Sequence, residues 1–340
     1  MKTEKIDVIS GDREKGIARA GEILRRGGTV AIPTETVYGL AASALDDGAI
    51  EKVFLAKGRP QNNPLIVHIS DIKMLEDVAR DIPDAAYRLA ETFWPGPLTM
   101  VLRRKDPVAS RVSAGLDTVA VRMPASKAAR DIIEASGVPL AAPSANISGS
   151  PSPTAAAHVI HDLDGKVDAI VCGEDCKVGV ESTVVALFSD PPRILRPGAV
   201  TAEELSGILP GLVIDKAVLS EPESGKAVAS PGMLYKHYAP KTETFLIEGE
   251  SKNYIDFVNS KGDCAAVCFD GEAARITVKK LAYGAQNDGD ALAKNLFSVL
   301  RAVDALGAKR VYVHAPDKRG IGLAVYNRLL RAAGFKVIKL

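Results

Sequence analysis

Hydroxyl groups and a carboxylate follow one apolar run near the amino terminus. The segment 32–40, IPTETVYGL, comes directly after the strand-like run TVAI and contains Thr34, Glu35 and Thr36. A plain strand exit needs none of these groups, so they are candidates for a binding site. A simpler explanation stays open, because Thr34 or Thr36 could cap the start of a helix.

Two cations and three amides stand together in the next such segment, 57–65, KGRPQNNPL. Lys57 and Arg59 end a helical stretch and enter a loop that two prolines stiffen. Long cationic side chains held by a stiff loop suit phosphate groups. Cations at the carboxyl end of a helix also oppose its dipole, which would be a structural role.

Charged and polar groups also interrupt or end later strand-like runs. His68 lies in PLIVHI, and Arg122 lies in TVAVRMP, where a charge must meet a partner. That partner is either an internal carboxylate or one that a ligand brings. The segments 142–149, 179–185 and 195–198 add hydroxyls, an amide and an arginine in turns that could close around phosphate or ribose oxygens.

Motifs of common nucleotide and hydrolase sites are absent from the sequence. It contains no G-x-x-x-x-G-K-[ST] and no G-x-S-x-G, and Gly320-x-Gly322 lacks the third glycine of a dinucleotide loop. The four cysteines form two C-x3-C pairs without a nearby histidine, so we predict buried, reduced thiols rather than zinc ligands. We expect no metal ligand from the protein itself.

Length and composition are those of an ordinary globular protein with about two domains. Of the 340 residues, 46% are hydrophobic and 25% are charged, and no run could span a membrane or direct secretion. A soluble, cytoplasmic protein without a membrane partner is therefore expected. The net charge of +1 is unevenly divided, because residues 241–340 carry 16 Lys and Arg against 11 Asp and Glu. This excess could attract RNA or could simply be a solvated face.

The succession of strand-like and helix-like runs predicts an α/β protein in two parts. Residues 1–210 mix both kinds of run, and residues 211–240 form a linker rich in proline and serine that also contains aromatic side chains. Residues 241–340 alternate simply, which predicts a smaller α/β domain with a largely parallel sheet. Left-handed helix ends are expected at Gly27, Gly307 and Gly334.

Several of these segments carry a resemblance to a known family. PTETVYGL, KGRPQNNPLIVH, WPGPLT, VAVRMP, APSANISG, GVEST and LRPG occur here in the order and at the spacings typical of the YrdC-like threonylcarbamoyl-AMP synthases. SPGMLYKHYAP is similar to the linker of the long, two-domain members. The resemblance implies a twisted open α/β sheet with a large concave cavity, followed by a smaller Rossmann-like α/β domain.

The resemblance also implies a reaction and the residues that serve it. L-Threonine, bicarbonate and ATP would give L-threonylcarbamoyladenylate and pyrophosphate, the intermediate for the tRNA modification t6A. The implied catalytic residues are Lys57 and Arg59. The implied threonine site consists of Thr36, His68, Arg122, Ala142 and Ser182. The implied ATP contacts are Arg59, Asn63, Thr118, Ser144, Ser152, Arg196 and Tyr235.

Partners follow from the same resemblance. Mg²⁺ is expected to bind with ATP rather than in a protein cage. The product would pass to tRNA and to the threonylcarbamoyl-transferase machinery, and the linker would fold over the cavity as a lid. Two alternatives remain at this point: an RNA-binding module of the same fold, and carbamoyl transfer to a protein target. The slight acidic excess of residues 1–240 opposes the first, and the missing zinc-finger cysteines oppose the second.

Overall fold

The computed structural model describes residues 2–221 and 237–340. The first domain contains strands and helices in alternation. Its strands are β1 (Glu4–Asp7), β2 (Val30–Ile32), β3 (Gly39–Ser43), β4 (Ile66–His68), β5 (Ala79–Arg80), β6 (Leu98–Arg104), β7 (Thr118–Arg122), β8 (Leu140–Ala141), β9 (Ala169–Cys172), β10 (Thr183–Ala186), β11 (Arg193–Arg196) and β12 (Val213–Ile214). Its helices are α1 (Arg13–Arg25), α2 (Asp47–Lys57), α3 (Leu75–Val78), α4 (Asp84–Phe93), α5 (Lys127–Ser136), α6 (Ala156–Leu163) and α7 (Ala202–Ser206).

These strands form one mixed sheet, in the order β1-β9-β2-β3-β8-β4-β7-β6-β10-β11-β12, with β5 paired to β6. The strand-like runs TVAI, PLIVHI and TVAVRMP are confirmed as β2, β4 and β7. Parallel pairing of β4 with β7 sets His68 directly beside Arg122. The edge strand β12 lies just beyond residue 210, where we expected the first domain to end.

The segment after β2 is a turn rather than the start of a helix. β2 and β3 are antiparallel, and Ile32 pairs with Gly39 across the turn. Thr34 Oγ1 donates to Val37 O at 2.6 Å, and the Tyr38 hydroxyl donates to Gly173 O at 2.9 Å. The helix-cap alternative for Thr34 and Thr36 is therefore wrong, because their hydroxyls stabilise a strand connection.

The second domain is built on a smaller sheet. Its strands are β13 (Glu243–Glu248), β14 (Cys264–Cys268), β15 (Lys279–Ala282), β16 (Arg310–His314) and β17 (Val337–Lys339). Its helices are α8 (Ser251–Asn259), α9 (Gly289–Ala302) and α10 (Gly322–Ala332). The strand order is β15-β14-β16-β13-β17 and every pair is parallel, which confirms the predicted parallel sheet.

Helices cover both faces of this sheet. α9 and α10 pack on the face that contains Leu246 and Val267, whereas α8 packs on the face that contains Ile247 and Ala266.

The three predicted helix ends have the expected backbone conformation: Gly27, Gly307 and Gly334 adopt positive φ values of 75°, 63° and 58°. A residue without Cβ adopts this conformation at little cost, which explains why the helices end there.

The two domains share an apolar cluster. Val37 and Val180 of the first domain are buried together with Leu292, Leu296 and Phe297 of α9. Because burial of each large aliphatic or aromatic side chain contributes roughly 1.5–3 kcal/mol, this cluster holds the domains against each other. The second domain is thereby fixed next to the segments that contain the candidate site residues.

All four thiols are free; Cys176, Cys264 and Cys268 are buried, and Cys172 is half-buried. Within the described ranges, no helix has the length and apolar character needed to cross a membrane.

Candidate functional site

A small buried cavity lies where the turn after β2, the ends of β4 and β7, and the start of β10 meet. Its volume is about 50 Å³, enough for a few water molecules. It is lined by Thr34, Thr36, Val37, Gly39, Arg59, Pro64, Leu65, Ile66, His68, Arg122, Ala142, Pro143, Ser144, Glu181, Ser182, Arg196, His237 and Tyr238. Segments far apart in the sequence thus converge on one space.

Most of the residues implied by the resemblance line this cavity. Those at its wall are Thr36, Arg59, His68, Arg122, Ala142, Ser144, Ser182 and Arg196. The complete implied threonine site is therefore brought together. Of the implied ATP contacts, only part reaches the cavity wall.

The remaining predicted residues lie behind or beside the cavity wall. Asn63 and Thr118 lie toward the amino-terminal ends of β4 and β7, and Ser152 lies behind Glu181, to which its hydroxyl donates at 2.5 Å. Tyr235 lies outside the described residues. The roles of these residues in ATP binding stay predictions.

Lys57 is fully buried, and its ammonium group faces a turn of the backbone. It donates to the carbonyl oxygens of Ser144 and Asn146. Burial lowers the pKa of Lys57 well below its ordinary value, and Arg59 adds to this effect. In this structure Lys57 therefore holds the turn that presents Ser144, and its predicted catalytic role would have to act from that position.

Arg122 meets an internal carboxylate. Its NH2 donates to Glu35 Oε1 at 2.5 Å, NH1 donates to Thr36 Oγ1 at 2.8 Å, and Nε donates to Gly96 O at 3.1 Å. Burial raises the pKa of Glu35, but the charge of Arg122 and backbone N–H groups outweigh that effect and hold this pKa below its ordinary value. Glu35 is therefore the internal carboxylate that balances the charge of Arg122 within β7.

His68 is buried beside Arg122 and is kept neutral. Burial lowers its pKa to about 3, with the charge of Arg122 acting in the same direction. Its Nδ1 lies 3.1 Å from the carbonyl oxygen of Ile66, which can only accept, so Nδ1 carries the proton. The other nitrogen, Nε2, is then a hydrogen-bond acceptor at the cavity wall.

Positive charge predominates at the cavity wall. Three guanidinium groups, those of Arg59, Arg122 and Arg196, face one carboxylate, that of Glu181. Burial lowers the pKa of both Arg59 and Arg196 to about 10, which leaves both protonated at neutral pH. His237 contributes no charge, because burial lowers its pKa to about 3. The arrangement suits an anionic ligand.

Three titratable lining residues were not assigned a role from the sequence: Glu181, His237 and Tyr238. Glu181 lies between Val180 and Ser182 in an apolar strand entry, and an isolated carboxylate there was the available signal. Tyr238 packs on Phe297 of α9, with ring centroids 5.2 Å apart. These residues bring the second domain and the end of the linker to the cavity.

Two buried polar atoms near the cavity have no hydrogen-bond partner among residues 2–221 and 237–340. They are Asn63 Oδ1 and His237 Nδ1. Buried polar atoms in native proteins are nearly always satisfied, so unpaired atoms beside a cavity are suited to a ligand. In the same part of the chain, no group of three or more His, Cys, Asp or Glu side chains is placed to hold a metal ion.

Comparison with known proteins agrees with this geometry. A family profile described as "Telomere recombination" matches residues 22–198, and one described as "Threonylcarbamoyl-AMP synthase, C-terminal domain" matches residues 200–334. The threonylcarbamoyl-AMP synthase of Pyrococcus abyssi is 43% identical over 98% of each chain. The chain belongs to the threonylcarbamoyl-AMP synthase family. The Bacillus subtilis synthase of this family is 42% identical over the full length of both chains.

A solved structure extends the comparison to three dimensions. The Pyrococcus abyssi Sua5 protein in complex with L-threonine covers 100% of both chains with a TM-score of 0.90 and 39% identity. The resemblance seen in the sequence motifs and the predicted α/β fold with its second domain are thus confirmed.

Proposed function

We propose that this protein makes L-threonylcarbamoyladenylate and pyrophosphate from L-threonine, bicarbonate and ATP. The observation that carries the proposal is the convergence of three buried guanidinium groups, from Arg59, Arg122 and Arg196, on one cavity. Both ligands that must meet in this reaction are anionic, one through a carboxylate and the other through phosphates. The family assignment supplies the identity of the substrates.

The threonine half of the site is centred on Arg122. Its NH1 group donates to the Thr36 hydroxyl at 2.8 Å, and both residues line the cavity, where a guanidinium group suits a carboxylate. The neutral His68 offers Nε2 as an acceptor for the amine or the hydroxyl of threonine. Ala142 and Ser182 complete this half of the wall.

The ATP half uses Arg59, Arg196 and Ser144 at the cavity wall. Asn63, Thr118 and Ser152 would extend it toward the nucleoside, and the linker residue Tyr235 is the further ATP contact that the resemblance implies. The unpaired Asn63 Oδ1 supports this assignment, since an adenine amino group is a donor that could satisfy it.

The chemistry requires positioning more than a dedicated base. The threonine amine and bicarbonate form a carbamate with loss of water; a carbamate oxygen then attacks the α-phosphorus, and the bond to the leaving pyrophosphate breaks. Arg59 and Arg196 would stabilise the phosphate charge, and the buried site would exclude water from the labile carbamate. His68 is a weak base because its pKa is about 3.

Mg²⁺ would bind through the phosphate oxygens of ATP and neutralise part of their charge. The cavity wall fits this arrangement, because its one carboxylate, Glu181, is already bound by Ser152 and by an arginine of the second domain. The protein would then act as a nucleotidyltransferase in the cytoplasm. Its product would serve t6A formation in tRNA through the threonylcarbamoyl-transferase machinery.

The alternative of an RNA-binding module has no support from the cavity. The residues Arg59, Arg122 and Arg196 are at most 8% exposed. A polynucleotide backbone needs cations along an accessible groove, whereas these three cations are buried.

Pyrophosphate release tests the proposal, with ATP, threonine and bicarbonate each omitted in turn. We expect release only with all three present; release that persists without threonine would refute the substrate assignment. Arg122→Lys, which keeps the charge that balances Glu35, should raise the KM for threonine about 10- to 100-fold and leave the KM for ATP nearly unchanged. Arg103→Lys is the matched control, because Arg103 contacts Asp117 at the exposed end of β6.

A further inference from the structure

Arg328 of the second domain reaches into the wall of the candidate site. It lies on α10 and its side chain is fully buried. Nε donates to Glu181 Oε2 at 2.8 Å, NH1 donates to Pro197 O at 2.9 Å, and NH2 donates to Glu181 O at 3.3 Å. NH1 also donates to Asn327 Oδ1 of the same helix at 2.9 Å, but the contacts with Glu181 and Pro197 cross from one domain to the other.

Glu181 joins this contact to the cavity. Its Oε1 accepts from Ser152 Oγ at 2.5 Å, and its side chain lines the cavity beside Arg196. Arg196 does not share the carboxylate, since its Nε and NH2 donate to the carbonyl and hydroxyl oxygens of Ser182 at 3.0 and 3.1 Å. Glu181 therefore has a cation on each side but is hydrogen-bonded to only one of them.

Which arginine binds Glu181 affects how strongly the cavity attracts an anion. A buried carboxylate needs a cation, and Arg196 is the next cation that acts on Glu181 after Arg328. Without Arg328, the carboxylate would turn toward Arg196, or its uncompensated charge would remain beside the phosphates. Either outcome weakens the attraction of the cavity for a polyphosphate.

We infer that Arg328 is a positioning residue for the nucleotide half of the site. By binding Glu181, it holds the Ser152 hydroxyl in place and leaves Arg196 available to the phosphates of ATP. The docked second domain thereby completes the site in a way that the residues of the first domain alone do not. This inference rests on the proposed function, because it assigns a cause to ATP affinity at that site.

The first test compares the full-length wild-type protein with Arg328→Met. We expect the KM for ATP to rise about 10- to 100-fold in the variant, while the KM for threonine changes less than about threefold. Both constants come from pyrophosphate release with the other substrate saturating. A purely structural role would lower the amount of active enzyme without separating the two constants.

A second variant also removes the negative charge of Glu181, which should weaken ATP binding when Arg328 is absent. In Arg328→Met combined with Glu181→Gln, the buried carboxylate is gone, so ATP affinity should recover about tenfold relative to Arg328→Met alone. Arg328→Lys, which keeps a cation, should lie between wild type and Arg328→Met. This variant also keeps the test valid if Arg328→Met fails to fold.

Arg301→Met is the matched control. Arg301 of α9 also crosses the domain boundary, where it binds Asp162 at 2.7 Å and the carbonyl oxygen of Pro151 at 2.6 Å, but it has no hydrogen bond to Glu181 or to the Ser152 side chain. Its loss should leave the KM for ATP within about threefold of wild type. An equal rise in Arg301→Met, or no recovery in the double variant, would overturn the inference. A wild-type protein that releases pyrophosphate without threonine would instead refute the proposed function.

Discussion

Burial fixes the protonation of two histidines at the cavity wall. His68 and His237 are 4% and 8% exposed, and burial lowers the pKa of each to about 3. In the unfolded chain the same groups have pKa values of about 6.5. Both side chains therefore remain neutral in the folded protein throughout the physiological range, and the cavity keeps its charge.

The lowered histidine pKa values predict how stability depends on pH. Below about pH 6.5 the unfolded chain takes up protons on these histidines and the folded protein does not, so the free energy of unfolding should fall as the pH falls. Between pH 6.5 and 5 we expect a loss of about 1–2 kcal/mol for each histidine. Urea titrations across this range measure it.

The variant His68→Asn isolates one contribution. It should reduce the slope of unfolding free energy against pH in that window, because one of the histidines with a lowered pKa is gone; burial also lowers the pKa of His158, which adds to the slope in both proteins. The window ends at pH 5, since carboxylates such as Glu35 begin to take up protons in the unfolded chain below that value. An unchanged slope would mean that His68 is protonated in the folded protein.

The sequence was informative about which residue types matter, and less so about their pairings. The need of Arg122 for a carboxylate followed from its place within a strand, yet the choice between Glu35 and a ligand depended on a turn that the sequence did not define. The pairing of Glu181 with Arg328 spans 147 residues and two domains. No local pattern predicts such a contact, because it depends on how the domains dock.

At the scale of elements, alternation of apolar residues predicted most strands correctly. β3 was missed because GLAAS is short and made of small residues, so no alternation is visible. The apolar residues of α9 follow the period of a helix: Leu292, Leu296 and Leu300 are buried, whereas Val299 is only half-buried.

A glycine limits how closely α9 can approach the first domain. Gly179 has φ +83°, and a Cβ added there would lie 2.4 Å from Lys294 Cα and 2.5 Å from Ala293 O. Both neighbours are backbone atoms of α9, so relief requires the helix to move. Gly179→Ala should cost about 2–4 kcal/mol of unfolding free energy through backbone strain and overpacking.

Gly115 supplies the control for that measurement. It has φ +81°, and a Cβ there would meet no atom within 4 Å. Gly115→Ala should therefore lower the unfolding free energy only through backbone strain, by about 1 kcal/mol. Equal losses in the two variants, measured by urea unfolding, would show that the approach of α9 imposes no steric limit at Gly179.

At the scale of the whole molecule, the two domains are joined by a common core and by buried charges. Val37 and Val180 belong to the apolar cluster of the second domain, and Arg301 and Arg328 are bound by Asp162 and Glu181 of the first. The length of the chain predicted two domains, but not that they would share buried groups. A shared core makes separate unfolding of either domain costly.

We therefore expect the domains to unfold together. Trp94, the only tryptophan, is buried in the first domain and donates to Leu98 O at 2.7 Å, so its fluorescence follows that domain alone. Far-UV circular dichroism follows the helices of both domains. In urea the two signals should give one midpoint.

Arg301→Met leaves the buried Asp162 without its arginine, which should lower the unfolding free energy by about 3 kcal/mol and move both midpoints together. A variant in which the dichroism changes before Trp94 responds would show that the second domain unfolds on its own, and the shared core would then not couple the two halves.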